Sequence, residues 1–405
     1  MEERNSNQFS QPAMAAAPAP ARLRADHPRL RTALPALRAD PPRLRTALPA
    51  LPALLMLAVA AAGLSAAGCA RGHRGTPTEV RLGYFPNLTH AQALIGVARG
   101  DFEKAAAPLR LTTKLFNAGP QAIEALFAGE LDLAYVGPGP AINAWARSKG
   151  RALHVVAGAA SGGAALVVRA DSRIARATDL DGRNIATPQL GNTQDIALRA
   201  YLGEHGLSPA DKGGRVRITP IANPDILNLM KQGQLDGAWV PEPWVTRLLS
   251  EADCRIYLDE RTLWPQGRFT TAVLVASRAF LEEHPDLLRR FLQTHVEVTQ
   301  WIRNNPREAV VQVNAELGRL LGKPLPEQVV SDAFSRLEVT YDPIESSLVR
   351  SAGRAFDLGF LGSRRPDMEG LVDLRLLDEV LAGNGLAPIG GGGAAGDDHG
   401  NGSDR

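Results

Sequence analysis

The sequence predicts an α/β protein of two lobes, each a mostly parallel sheet with helices on both faces, and a cleft between them. Three observations carry this. Short apolar strand patterns alternate with helical ones from residue 79 to residue 148, the signature of βαβ crossovers. The alternation restarts at residue 184 and runs to residue 258. An apolar strand stands on either side of this second block, at residues 164–168 and 270–276, so the chain is expected to cross between lobes twice. The first lobe is then discontinuous, residues 79–168 and 270–388, and the second is residues 169–269.

Ahead of this region the sequence has a different character. Residues 1–45 hold eight Arg and four acidic residues, a surplus of +4; the whole chain carries +2, so the remainder carries −2. The basic bias is confined to this leader, and nothing in the bulk composition suggests nucleic acid. Residues 24–37 recur as residues 38–51, differing only at His27 against Pro41. Two copies of so short a unit make no solenoid; a local duplication in a disordered leader fits better.

Residues 46–68 carry no charge, and residues 54–64 form a compact apolar core behind Arg45, as in an export signal. The run ends in Leu64-Ser65-Ala66-Ala67-Gly68-Cys69, which resembles a bacterial lipobox. That resemblance implies that Cys69 is lipidated and anchors the mature chain after export, at the outer face of the cytoplasmic membrane or in the periplasm. A plain secretory signal and an uncleaved anchor helix are the alternatives, and Pro49, Pro52 and the small-residue finish favour cleavage. Cys254 is the only other cysteine, so an acylated Cys69 leaves it no disulfide partner. Residues 69–78 read as a tether.

In the first lobe, strands are expected at residues 79–85, 109–115 and 131–136, with helices at 91–102, 121–127 and 140–148. Ligands of such sheets sit beyond the carboxyl ends of the strands. Those ends are Tyr84-Phe85-Pro86-Asn87, Asn117-Ala118-Gly119-Pro120-Gln121, Gly137-Pro138-Gly139-Pro140 and Ser161-Gly162-Gly163. Each is a loop that can bring backbone donors close to a ligand, although each taken singly reads more readily as a plain turn.

The second lobe opens on the stretch that organises the site. Residues 184–187 read as a strand that Pro188 ends; Gly191 allows the turn, and Asn192 or Thr193 caps a helix with Gln194 and Asp195 in its first turn. Free N–H groups and the helix dipole there suit an anion. An ordinary capped connection is the alternative. Further strands are expected at residues 216–219, 235–239 and 256–258. After residue 280 the pattern is helical, over residues 288–302, 307–321, 326–336, 346–358 and 371–381, and residues 389–405 read as a disordered tail.

The order of motifs resembles the solute-binding proteins of ABC importers in the nitrate, taurine and aliphatic-sulfonate group, related to the thiamine-pyrimidine synthase-like proteins. The residues that carry it are Gly83-Tyr84-Phe85-Pro86-Asn87, Ala128-Gly129-Glu130-Leu131-Asp132, Ala134-Tyr135-Val136-Gly137-Pro138, the run from Ala186 to Asp195, and Gly237-Ala238-Trp239-Val240-Pro241-Glu242-Pro243-Trp244. The resemblance covers residues 79–382. It implies a type II periplasmic-binding-protein fold, a small and mostly anionic solute, permease and ATPase subunits as partners, and a monomer. The chain has no complete phosphate-binding loop of its own; Gly322-Lys323 lacks the upstream glycine and a following Ser or Thr.

The candidate solute contacts are Tyr84, Phe85, Asn87, His90, Gly119, Gln121, Gly137, Pro138, Ser161, Gly162, Gly191, Asn192, Thr193, Gln194, Trp239 and Glu242. His90 follows the first loop and reads either as a contact or as a water-exposed residue of a first helical turn. Trp239 is a candidate wall, while Trp244 either stacks on the solute or packs under its own helix. Glu242 near the pocket would repel a bare anion and welcome an amine. No catalytic set, metal site or cofactor is expected: the eight His form no His-x-x-x-His pair, and the cysteine-rich iron-binding stretch of the enzymatic relatives is missing.

Overall fold

The structure, a computed structural model, describes residues 78–390. The expected export signal, Cys69, nearly all of the tether and nearly all of the tail lie outside the described residues.

Two mixed sheets organise the described chain. The first has six strands in the order β11-β4-β10-β3-β1-β2, where β1 is Glu79–Tyr84, β2 Arg110–Leu115, β3 Leu133–Val136, β4 Leu153–Gly162, β10 Thr270–Ser277 and β11 Leu337–Val339. The second has five in the order β7-β6-β8-β5-β9, where β5 is Ala164–Arg169, β6 Asn184–Thr187, β7 Arg217–Pro220, β8 Gly237–Pro241 and β9 Cys254–Asp259. The parallel part of each is three strands: β3-β1-β2 and β7-β6-β8. The strands that serve the crossings join antiparallel, β10 on β3 and β5 on β8.

Apolar strands demand cover on both faces. In the first sheet one core lies against the helices Ala91–Ala98, Pro285–Asn304 and Pro306–Leu321, and another against Gly119–Phe127, Pro138–Ser148 and Glu345–Asp357. The second sheet likewise carries one core on each face.

Several expectations shift by local physics. The helix read over residues 91–102 is two, Ala91–Ala98 and Asp101–Ala106, because Gly100 at φ 71° ends the first. The strand at residues 164–168 pairs with β8 and β9, so the first crossing is at Gly163 and not after residue 168. Ser161 and Gly162, expected in a loop, are the last residues of β4. β11 was not visible as a strand; it is three residues long and sits on the sheet edge beside β4.

Candidate functional site

The carboxyl ends of the parallel strands of both sheets meet at one small, nearly closed cavity of about 20 Å³. From the first sheet come Phe85, Asn87, Thr89 and His90 after β1, Asn117 and Ala118 after β2, Gly137 after β3, and Thr271 from β10. From the second come Pro188, Asn192, Thr193 and Gln194 after β6, Asn223 after β7, and Pro241 at the end of β8. None of these side chains carries a formal charge at neutral pH. Four helices begin here, at Gly119, Pro138, Thr193 and Asn223. Their positive dipole ends converge on the cavity from both sides, but the helix at Pro138 has no free first-turn N–H: Pro138 and Pro140 carry none, and those of Gly139 and Ala141 donate to Thr193 Oγ1 and the Gly137 carbonyl.

The loop after β6 is held by a buried carboxylate. Asp195 accepts from the Gly191 N–H at 2.9 Å, the Thr187 hydroxyl at 3.2 Å and Arg199 Nε at 3.1 Å. Gly191 takes φ 70°, where a side chain would be strained. Asn192 caps the helix, its Oδ1 accepting from the Thr193 N–H at 2.8 Å. So the two sequence readings, ligand loop and ordinary cap, are both features of one turn.

His90 is buried at 2 % exposure and lines the cavity, not water. Its Nδ1 accepts the Phe85 N–H at 3.1 Å. Burial lowers its pKa to about 3, so the ring is neutral and its proton stands on Nε2 as a donor. Asn223 is 3 % exposed and its Oδ1 is buried without a partner. Sequence reasoning passed over Asn223; the signal was Asn-Pro opening a helix just after β7, the same grammar as Gly-Pro at residues 137 and 138.

Contacts across the cleft hold the two sides together. The Gly139 N–H donates to Thr193 Oγ1 at 3.2 Å, Trp244 Nε1 to Asn87 Oδ1 at 3.0 Å, and the Leu88 N–H to the Glu242 carbonyl at 3.2 Å. Trp244 therefore bridges the sheets and does not line the cavity.

Of the expected contacts, Phe85, Asn87, His90, Gly137, Asn192, Thr193 and Gln194 line the cavity. Gly119, Pro138 and Gly191 shape the loops behind it. The others lie elsewhere, for physical reasons. Tyr84 points to the opposite face of β1 from Phe85, by strand alternation, and fills the first core. Trp239 is fully buried in the second sheet's core with Nε1 on Glu260 at 2.8 Å. Gln121 is exposed on its helix. Ser161 accepts from the Phe269 N–H at 3.2 Å, and the Gly162 carbonyl accepts from Thr271, both in service of the crossing. Glu242 is turned from the solute space toward Thr246 and Arg336, at 3.0 Å and 3.3 Å.

A family model described as the NMT1-like family matches residues 73–315. The chain belongs to the NMT1-like family. Among curated relatives, it is 28% identical over 211 residues to the taurine-binding periplasmic protein of Escherichia coli, spanning 52% of this chain and 63% of that one, under two thirds of its length. Among solved structures, the alkanesulfonate-binding protein SsuA of Xanthomonas axonopodis, bound to MOPS, superposes with a TM-score of 0.61 at 20% identity, over 74% of this chain and 99% of that one. The periplasmic aliphatic sulphonate binding protein SsuA of Escherichia coli gives 0.59 at 23%, over 73% and 98%. These likenesses place the chain in the two-lobed, type II periplasmic-binding-protein fold.

Proposed function

We propose that this NMT1-like protein captures a small organosulfonate or similar oxyanion, taurine among them, and passes it to permease and ATPase subunits of an importer. The observation that carries the reading is a cavity between two sheets where four helices begin and no side chain is charged. Such a site binds an anion through neutral donors, without a lysine or arginine that would hold it too firmly to release. Proteins similar to this one are named for taurine and aliphatic sulfonates, which supports the same class. Relatives named as taurine- and aliphatic-sulfonates-binding proteins support a binding role over a catalytic one.

Calorimetry on the purified chain with taurine, ethanesulfonate, nitrate and a thiamine-precursor pyrimidine tests this. Binding of a sulfonate is expected, with little salt dependence because the grip is enclosed. Thr193→Ala removes a hydroxyl from the cavity wall and from the Gly139 contact. It is expected to weaken binding about tenfold or more, since a hydrogen bond to a charged partner is worth about 1.5 to 3 kcal/mol. Tight binding of the neutral pyrimidine alone would overturn the anion reading.

We also propose that Cys69 carries the lipid anchor, on the strength of the small-residue run before it. Cys69→Ala is expected to abolish labelling by a fatty-acid probe and to release or leave unprocessed the exported chain. A cleaved variant still held at the membrane would exclude the idea.

A further inference from the structure

Asn87 stands immediately before the short helical turn Leu88–His90 and lines the cavity. An asparagine in that position ordinarily turns its side-chain oxygen onto the N–H groups of the turn it precedes. Asn87 makes no such bond. Its Oδ1 instead accepts the indole N–H of Trp244, which reaches it from the other side of the cleft at 3.0 Å. An amide whose oxygen is held has its nitrogen held as well, facing the opposite way. That nitrogen makes no hydrogen bond among the described residues, so what Asn87 has left to offer is a donor and not an acceptor.

The indole is itself held firmly. Trp244 opens the helix Trp244–Glu251, is 4 % exposed and packs in a core of the second sheet, while the Arg247 guanidinium covers its ring at 4.8 Å. The ring cannot turn without losing this packing. Trp145 and Trp239 donate within their own sides, to the Asp367 carbonyl and to Glu260. The Trp244 bond joins the two sides, so drawing them apart breaks it and leaves the Asn87 amide free to turn over.

We propose that Trp244 is a positioning residue for the solute: its indole N–H locks the Asn87 amide so that Nδ2 faces the bound oxyanion, and it does so only where the two sides meet. Meeting of the sides thereby creates one of the donors that grip the solute. This rests on the oxyanion reading above and adds a residue that touches no solute yet sets which end of the Asn87 amide the solute meets.

The test is a cycle of wild type, Trp244→Phe, Asn87→Ala and the double variant, each titrated with ethanesulfonate by calorimetry on the purified chain. Phenylalanine keeps an aromatic ring and lacks the N–H. Each single substitution is expected to weaken binding about tenfold, the size of a hydrogen bond to a charged group or of the orphaned partner it leaves. In the Asn87→Ala background, Trp244→Phe should weaken binding by no more than about twofold, because the amide it positions is gone. A tryptophan that merely packs would cost the same in both backgrounds, and that result overturns the proposal. A second readout needs no change at Trp244. With saturating ethanesulfonate, one of the five indole N–H resonances should move between wild type and Asn87→Ala, toward the position of an indole without an acceptor. Coincident indole spectra overturn the proposal even if Trp244→Phe fails to fold. Either failure, with wild type still binding ethanesulfonate, leaves the oxyanion reading standing. Wild type that binds none of ethanesulfonate, taurine and nitrate overturns both.

Discussion

Gly137→Ala is expected to cost about 10- to 100-fold in solute affinity while the protein melts within a degree or two of wild type. The backbone at Gly137 has φ −74° and ψ 159°, which alanine adopts without strain. The obstacle is across the cleft: a Cβ there would stand 2.3 Å from Thr193 Oγ1. Gly137 belongs to the first sheet's side and Thr193 to the second's, so the clash exists only when the two sides meet. An arrangement with the two sides drawn apart would tolerate the methyl group, and the one described here does not.

Overpacking of about 1 to 3 kcal/mol then falls wholly on the bound state, and a ligand's apparent affinity drops by the population it loses. Calorimetry gives the affinity. Solution scattering gives the conformation: saturating ligand should contract wild type and contract Gly137→Ala less. Thr193→Ala removes the opposing atom, so Gly137→Ala/Thr193→Ala should bind as Thr193→Ala alone does, a coupling that a cycle of the four proteins measures. Unchanged affinity in Gly137→Ala would mean that the closed contact is not part of binding.

That pair of residues also marks what the sequence could and could not disclose. Gly137 and Thr193 were legible because each sits in a turn whose residues have a mechanical reason to be there: a strand ends, a Pro or an Asn cap follows, and a helix begins. The same grammar made the strand order within each βα block readable. Periodicity alone could not say which sheet the strand at residues 164–168 would join, since an apolar run looks the same on either side of a crossing. It could not orient Tyr84 and Trp239 either. Tyr84 ends β1 and Trp239 stands in the middle of β8, and alternation sends one neighbour to the cavity side and the next to the core. Glu260 opens a short 3-10 turn before β10 and Trp264 is the extended residue that follows it, where no periodic signal exists, so their burial against Trp239 and Phe269 could not be read from the sequence.

Four buried titratable groups set opposing pH dependences, and substituting one of them is expected to make this visible. His90 and His295 are buried neutral. Burial lowers their pKa values to about 3 and about 4, the Gly158 carbonyl on His295 offsetting part of the effect. From the ordinary value of 6.5 downward, the unfolded chain therefore takes up protons that the folded chain refuses, and stability falls with falling pH. Glu242 and Glu260 act in the other sense. Burial raises both to about 7, against the Thr246 N–H and Arg336 at Glu242 and against Trp239 at Glu260. Their stabilising contribution is complete below the unfolded value of 4.5 and is lost as pH rises through 7. Between about pH 6.5 and 4.5 the two histidines and the two glutamates oppose each other nearly proton for proton, and below 4.5 only the loss from the histidines continues.

Glu242→Gln removes one opposing proton. Relative to wild type, its stability should fall by about 1.4 kcal/mol per pH unit from pH 6.5 to 4.5, the worth of one proton per decade. Asp195, which burial also raises, and the exposed carboxylates lowered by arginine partners, such as Asp171, are present in both proteins and drop out of the comparison. Urea unfolding of the two proteins in steps from pH 4 to pH 8 measures the difference. A constant offset between the curves across that range would mean that Glu242 keeps an ordinary pKa and that its pocket is wetter than its full burial requires.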